Sequence, residues 1–430
     1  MTGSPSPALT VVGASELDAT DALRSWRSRF ALPRNQRGQE LTYLCGHSLG
    51  LAPIGARARV LEELEDWERL GVLGHERAKR NWIGYAERLS PGLASLTGAE
   101  SAEVVAMNSL TVNLHLLLAS FYKPTSTRHR ILIEAGAFSS DRHALSSQIR
   151  WHGYDPADAL IEIRPRTGEE LLRPEDIEER IAAEGAGLAL VLWPGVQYRT
   201  GQAFDLEFLV RHGHRAGALV GFDLAHSIGN IPIRLHDSNA DFAVWCSYKY
   251  LNGGPGAIGG AFVHARHANA VQIPRLAGWW GSNQATRFRM SDEFELSPGA
   301  AGWQVSNPPV LSAAPLIESL EMFTAAGLDA LRAKSERLTG FLHDALQSQC
   351  LQNIEMITGA EPQWRGCQLS IRVRGGTERA RRVYESLEER QVIADWRQPD
   401  TIRLAPVPFY NSYTDAWRAA EQLGVALSER

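Results

Sequence analysis

The chain has 430 residues, 44% of them hydrophobic and 22% charged, with a formal net charge of −5. That length exceeds what one hydrophobic core ordinarily serves, so a large domain with a smaller companion is expected. The mild acidity gives no electrostatic reason for a nucleic-acid partner, and no run of like charges marks an interaction tail.

The opening MTGSPSPALTVVGASELDATD lacks a basic start followed by an apolar stretch and does not read as a secretory signal. The longest apolar run, GLALVLWPGV, falls short of the roughly 20 residues a bilayer span needs and reads as a buried strand. Cys45, Cys246, Cys350 and Cys367 are scattered without a CxxC pair. That argues against a disulfide framework or a structural zinc site and fits a reducing cytoplasm. His212 and His214 stand two apart on a predicted helix and so do not share a face, which leaves no metal site expected there.

Around residues 57–72 apolar positions recur at helical spacing, predicting an amphipathic helix. From about residue 100 short apolar strands alternate with helices. EVVAMNSLTVNLHLLLASF (103–121) reads as a strand, then Asn108 and Ser109 as caps, then a helix apolar nearly all round. ILIEAG (131–136), LALVLWPG (188–195), ALVGFDLA (218–225) and DFAVWCS (241–247) read as strands. Residues 205–217 form a helix between two of them, with Asp205 as N-cap and Gly217 as stop. Such alternation implies parallel strands joined by crossovers, hence an α/β sheet covered on both faces. Beyond about residue 310 a long helix (312–349) leads into CQLSIRVRG, a helix (377–390), VIADWR, TIRLAPVP and a last helix (413–428), a smaller α+β domain. The expected division is 1–55, an N-terminal segment packing on the small domain, 56–310, the large domain, and 311–430, the small domain.

The segment DFAVWCSYKYLNGGPGAIGGAFVH (241–264) carries the most chemistry. One reading is a hairpin whose glycine-rich turn holds a solvated lysine. The other is a Schiff-base lysine: an amine among aromatic and apolar residues loses hydration, which lowers its pKa and frees the nucleophilic form. Upstream, Asp223 ends an apolar strand, where a carboxylate is costly unless a cation meets it. A protonated pyridine nitrogen is such a cation. Asp223 and His226 also suit a helix start. Leu110 and Thr111 open the apolar helix, and a helix N-terminus offers free N–H groups to a phosphate.

Taken in order, CGHSLGL (45–51), GHERAKRNW (74–82), MNSLTVNLHLLLASFY (107–122), FSSDRHA (138–144), GFDLAHSIGN (221–230) and WCSYKYLNGGPG (245–256) resemble the kynureninases. GWWGS (278–282), ATRFRM (285–290), VSNPPVL (305–311) and RLAPVPFYNS (403–412) continue the match. The resemblance runs from about residue 40 to the end of the chain. It implies the fold-type-I architecture of pyridoxal-phosphate enzymes, with a mostly parallel central sheet, helices on both faces and a smaller α+β domain. It also implies a homodimer with active sites at the subunit interface.

By motif match, Lys249 carries pyridoxal 5′-phosphate covalently, Asp223 pairs with the pyridine nitrogen, and Phe138 stacks on the ring with Asp141 beside it. Leu110, Thr111 and Tyr248 fall at phosphate-binding positions, and His226 at a cofactor-contacting one. Trp279 and Asn307 match cofactor- or substrate-contacting positions, and Arg403 matches the arginine that pairs with the substrate α-carboxylate. The implied reaction is hydrolytic Cβ–Cγ cleavage of kynurenine or 3-hydroxykynurenine to an anthranilate and alanine. Lys249 removes the α proton and Tyr248 delivers one.

His75, Ser306 and Asn307 resemble residues of kynureninases that prefer 3-hydroxykynurenine. His47, Ser139 and Ser282 depart from the family's usual Asn, Pro and His. That leaves open a ring-substituted, for example methylated, substrate of secondary metabolism. The remaining alternatives are another enzyme of the superfamily, such as a cysteine desulfurase using Cys350 or Cys367, and a non-catalytic pyridoxal-phosphate-binding protein.

Overall fold

The computed structural model describes residues 9–429 except 269, 271, 290 and 291, so Met290 of the ATRFRM match lies outside them. The chain divides into two compact units. The larger comprises residues 56–196 and 204–321, and the smaller residues 1–55, 197–203 and 322–430. The boundary falls inside the helix Val310–Ala326, and the short stretch 197–203 is grouped with the smaller unit.

The larger unit is built on a seven-stranded sheet. In chain order its strands are β1 (Val104–Ala106), β2 (Arg130–Glu134), β3 (Leu160–Ile163), β4 (Leu188–Pro194), β5 (Leu219–Asp223), β6 (Phe242–Trp245) and β7 (Gly260–Val263). Their spatial order is β1-β7-β6-β5-β4-β2-β3. The pairs from β6 through β3 are parallel, whereas β7 runs antiparallel to both β6 and β1. Two reversals restore direction, so β1 points the same way as the parallel strands. The C-terminal ends of β1, β2, β5 and β6 therefore share one sheet edge, the edge where open α/β sheets bind ligands.

Strand interiors are near-continuous apolar runs, as burial on both faces demands; Leu190, Val191, Val220, Phe222, Phe242 and Val244 are all fully buried. The expected helix at 205–217 is Leu206–Arg215, with Asp205 accepting from the Phe208 N–H at 3.0 Å. The expected single helix at 312–349 is instead two, Val310–Ala326 and Leu328–Cys350. Gly327 separates them at φ +79°, a left-handed geometry that interrupts the ladder.

Asp241, just before β6, fixes that strand in place. Its buried carboxylate accepts from the Val220 N–H (2.6 Å) and from Arg266 (2.6 Å), and pairs with His214 (2.8 Å) and His267 (2.7 Å). His214 is thus occupied here, while His212 lies 3.4 Å from Glu178; the two histidines face different carboxylates.

In the smaller unit, a four-stranded antiparallel sheet orders Asp395–Arg397, Thr401–Leu404, Leu369–Val373 and Ile354–Met356. The helices Leu328–Cys350 and Tyr413–Ser428 contribute buried Leu338, Leu342, Leu346, Ala420 and Leu423 to the same core. The N-terminal segment is tied in by polar contacts. Asp18 accepts from the Tyr413 N–H at 2.6 Å, Arg27 pairs with Asp415 at 2.6 Å, and buried Lys334 meets Asp21 at 2.7 Å.

Burial raises the Asp241 pKa, but hydrogen bonds from His214 and His267 and the Arg266 charge outweigh it and leave the carboxyl well below the usual range. A depressed folded pKa contributes stability above the unfolded value, near 3.9, that is lost as pH falls toward the folded one. Asp241→Asn is expected to lower unfolding free energy by about 3–5 kcal/mol at pH 7. The loss should shrink below about pH 4, as measured by urea denaturation across pH.

Candidate active site

The sheet edge brings most of the expected residues together. Asp223 is the last residue of β5 and is 7% exposed, with one carboxylate oxygen accepting from the Ala225 N–H at 2.7 Å. Lys249 follows β6, and its Nζ lies 3.0 Å from His226 Nε2. The same Nζ sits 5.8 Å from the Phe138 ring centroid and 5.9 Å from that of Tyr248.

Asp141, in the first turn of the helix Ser139–Trp151, is buried beside Asp223. Burial raises its pKa well above the ordinary carboxylate range, and the neighbouring Asp223 carboxylate raises it further. Asp141 Oδ1 has no hydrogen-bond partner. Burial likewise raises the Tyr248 phenol, and the hydrogen-bonded Cys246 adds to the shift, so the hydroxyl keeps its proton.

At β1 the chain turns through Asn108, at φ +45°, into the helix Leu110–Phe121. Buried Asn113 sets this turn by donating to the carbonyls of Met107 (2.9 Å) and Gly260 (3.3 Å) and accepting from Asn108 (3.0 Å). Ser109 is the N-cap but makes no side-chain capping bond, so the first N–H groups, those of Leu110 and Thr111, stay available. Thr111 Oγ1 meets Ser140 Oγ at 2.7 Å. Gly259 passes so close that a Cβ there would lie 3.1 Å from Leu110 N and 3.0 Å from the Trp245 carbonyl.

These features fit pyridoxal phosphate. An orphaned, buried carboxyl oxygen beside a second carboxylate calls for an N–H cation. An uncapped helix start calls for an anion. A half-exposed phenylalanine offers a face for a flat ring.

His75, Trp279 and Asn307 form a separate group in the same unit. They line one pocket of about 550 Å³ with Trp280, Ile83 and Phe288. Ser306 is exposed next to Asn307 and does not line it. Ser282 donates to the Trp279 carbonyl. In the smaller unit Arg403 is 1% exposed, with Nε donating to Asp395 at 2.8 Å and Nη1 to the Tyr198 carbonyl at 2.5 Å. His47, fully buried, clusters with Cys45 and Asp395 in that unit.

The sequence reading had no role for Asp395, Tyr198 or Asn113. For Asp395 a signal was present, a charged residue breaking the apolar start of VIADWR. Asn113 gave none, since it ties the Met107 carbonyl nearby to the Gly260 carbonyl of a distant strand.

The profile of the kynureninase C-terminal domain matches residues 331–423. A kynureninase of Xanthomonas campestris pv. campestris is 55% identical over 410 residues, covering 95% of this chain and 96% of its own. One from Stenotrophomonas maltophilia is 53% identical over 410 residues, covering 95% of this chain and 96% of its own. The chain belongs to the kynureninase family.

Solved structures extend the likeness to the fold. The cysteine desulfurase CsdA of Escherichia coli aligns with a TM-score of 0.75 at 17% identity, over 94% of this chain and 98% of that one. The C–S lyase C-DES, solved with glycine covalently linked to its PLP cofactor, aligns with a TM-score of 0.76 at 16% identity, over 89% and 96%. The family's fold is thus that of the fold-type-I pyridoxal-phosphate enzymes.

Gly259→Ala is expected to force the start of the helix Leu110–Phe121 outward and weaken cofactor affinity roughly tenfold, about 1.4 kcal/mol. Fluorescence titration of the apoenzyme with pyridoxal phosphate measures this, and far-UV circular dichroism should stay unchanged.

Proposed function

We propose that the protein is a pyridoxal-phosphate-dependent hydrolase that cleaves the Cβ–Cγ bond of kynurenine-type amino acids, releasing alanine and an anthranilate. The observation that carries this is the convergence of Lys249, His226, Asp223, Asp141 and Phe138 at one sheet edge, in a chain 55% identical to a kynureninase over nearly its whole length. The bound cofactor supplies an electron sink for bonds breaking at the substrate α and β carbons.

This chain's residues do the remaining work. Lys249 anchors the cofactor, and once displaced by the substrate amine it removes the α proton. His226, at hydrogen-bond distance, orients that amine. Asp223 would pair with the pyridine nitrogen, and the raised pKa of Asp141 beside it disfavours a second adjacent charge. Leu110 and Thr111 N–H groups would hold the phosphate. Tyr248, protonated at neutral pH, would donate to the β carbon once water has added to the γ-carbonyl and the Cβ–Cγ bond has broken. Arg403 binds the α-carboxylate through its planar fork.

We also place 3-hydroxykynurenine ahead of kynurenine. His75 and Asn307 present polar groups to one pocket beside Trp279, where a ring hydroxyl finds partners, and Ser306 adjoins Asn307. The exposed apolar rim of this region, with Trp67, Val72, Leu73 and Phe288 all more than 45% exposed, supports a homodimer that covers it. The cytoplasm suits four unbridged cysteines.

A desulfurase reading has less support. It needs an accessible thiolate, yet all four cysteines are buried, and burial raises Cys45 to about 12 and Cys350 to about 11.

The holoenzyme should release stoichiometric alanine from both substrates, with anthranilate from kynurenine and 3-hydroxyanthranilate from 3-hydroxykynurenine. His75→Ala should reduce kcat/KM for 3-hydroxykynurenine roughly tenfold more than for kynurenine, the loss expected for one hydrogen-bond partner of the ring hydroxyl. Equal losses for the two substrates would remove the ring-hydroxyl assignment, and absence of alanine the reaction itself.

A further inference from the structure

The two-residue offset between Asp395 and Arg397 puts both side chains on one face of their strand. Asp395 lies directly across from Arg403 on the neighbouring antiparallel strand. Sheet register alone therefore brings two guanidiniums to one carboxylate. Arg403 donates from Nε at 2.8 Å and places Nη2 at 2.6 Å from Asp395 Oδ1. Arg397 reaches the same oxygen from Nε at 3.0 Å, and Asp395 Oδ2 from Nη2 at 3.2 Å. Both guanidiniums lie 5.9 Å from the centroid of the Tyr198 ring, whose own carbonyl takes Arg403 Nη1. The side chain of Arg403 is 1% exposed, that of Asp395 12% and that of Arg397 37%, so the cluster runs from the interior toward solvent.

Sharing one carboxylate between two guanidiniums fixes the direction of both forks and leaves the assembly cationic. A half-exposed arginine held this way is a preformed anion contact, not a solvated side chain, because its rotamer freedom is already spent. We propose that the amino-acid carboxylate is seated by Arg397 together with Arg403, and that Asp395 is the positioning residue that holds the two in register. This rests on the reading of Arg403 as the carboxylate arginine and adds a second cation and its brace.

The test uses the holoenzyme and its Arg397→Gln, Arg397→Lys, Asp395→Asn and Arg403→Gln variants. Each is first checked for wild-type cofactor absorbance and melting temperature. Arg397→Gln and Asp395→Asn should each raise KM roughly tenfold or more while kcat stays within about twofold, since uniform ground-state binding is what they remove. Arg397→Lys, keeping charge without the fork, should fall between. Inhibition by the carboxyl amide of the substrate should respond to none of them. A raised KM in Arg403→Gln with wild-type KM in Arg397→Gln and Asp395→Asn would overturn the two-cation seat and leave the Arg403 reading standing. Wild-type KM in all the variants, Arg403→Gln included, would overturn both. A matching fall in kcat and melting temperature in Asp395→Asn, with Arg397→Gln unaffected, would reduce Asp395 to a structural role and overturn the proposal.

Discussion

Two carboxyl groups cannot both carry charge side by side in an apolar interior. Asp223 and Asp141 are placed so, at the C-terminal edge of a buried sheet, and the arrangement is stable only if a proton or a cation answers them. Burial and its neighbour both drive the Asp141 pKa up, which favours its protonated form. The unsatisfied oxygen and the second carboxylate remain as a demand for an N–H cation. The amine of Lys249, the imidazole of His226 and the face of Phe138 gather around that demand.

The sheet makes the demand geometrically precise. β5 delivers Asp223 and β6 delivers Lys249, and β6 cannot slip because Asp241 at its start is held by four donors from three directions. The two antiparallel pairings through β7 turn β1 to the same edge, where an uncapped helix start waits for an anion. Catalytic polarity thus comes from topology: positive helix start and buried acids share one edge because strand direction puts them there. The smaller unit solves a comparable problem with the opposite sign, using cross-strand register to converge two guanidiniums on Asp395.

Much of this was legible in the sequence. An aspartate closing an apolar strand and a lysine between aromatic residues before a glycine-rich turn are costly choices, and cost is what made them visible. The alternation of strands and helices predicted the parallel sheet, and Asp205 marked a helix start correctly. The break at Gly327 was missed because glycine inside a helical pattern is weak punctuation until its φ is known. Asn113 and Gly259 were not readable as functional, since the Gly260 carbonyl and the helix N-terminus they meet are far away in the chain. Asp395 showed only as a charge in an apolar run, its arginine partners being set by sheet register. The pairing of Asp141 with Asp223 was likewise hidden, as no local pattern tells which acids will share a site.

The central claim is that this edge binds its cofactor through Lys249. Borohydride reduction of the holoenzyme, followed by tryptic digestion and mass spectrometry, locates the modified lysine directly. The account predicts a reduced pyridoxyl-phosphate adduct on the peptide containing Lys249 and on no other. An adduct at a different lysine, or full turnover by an enzyme with unmodified Lys249, would contradict it.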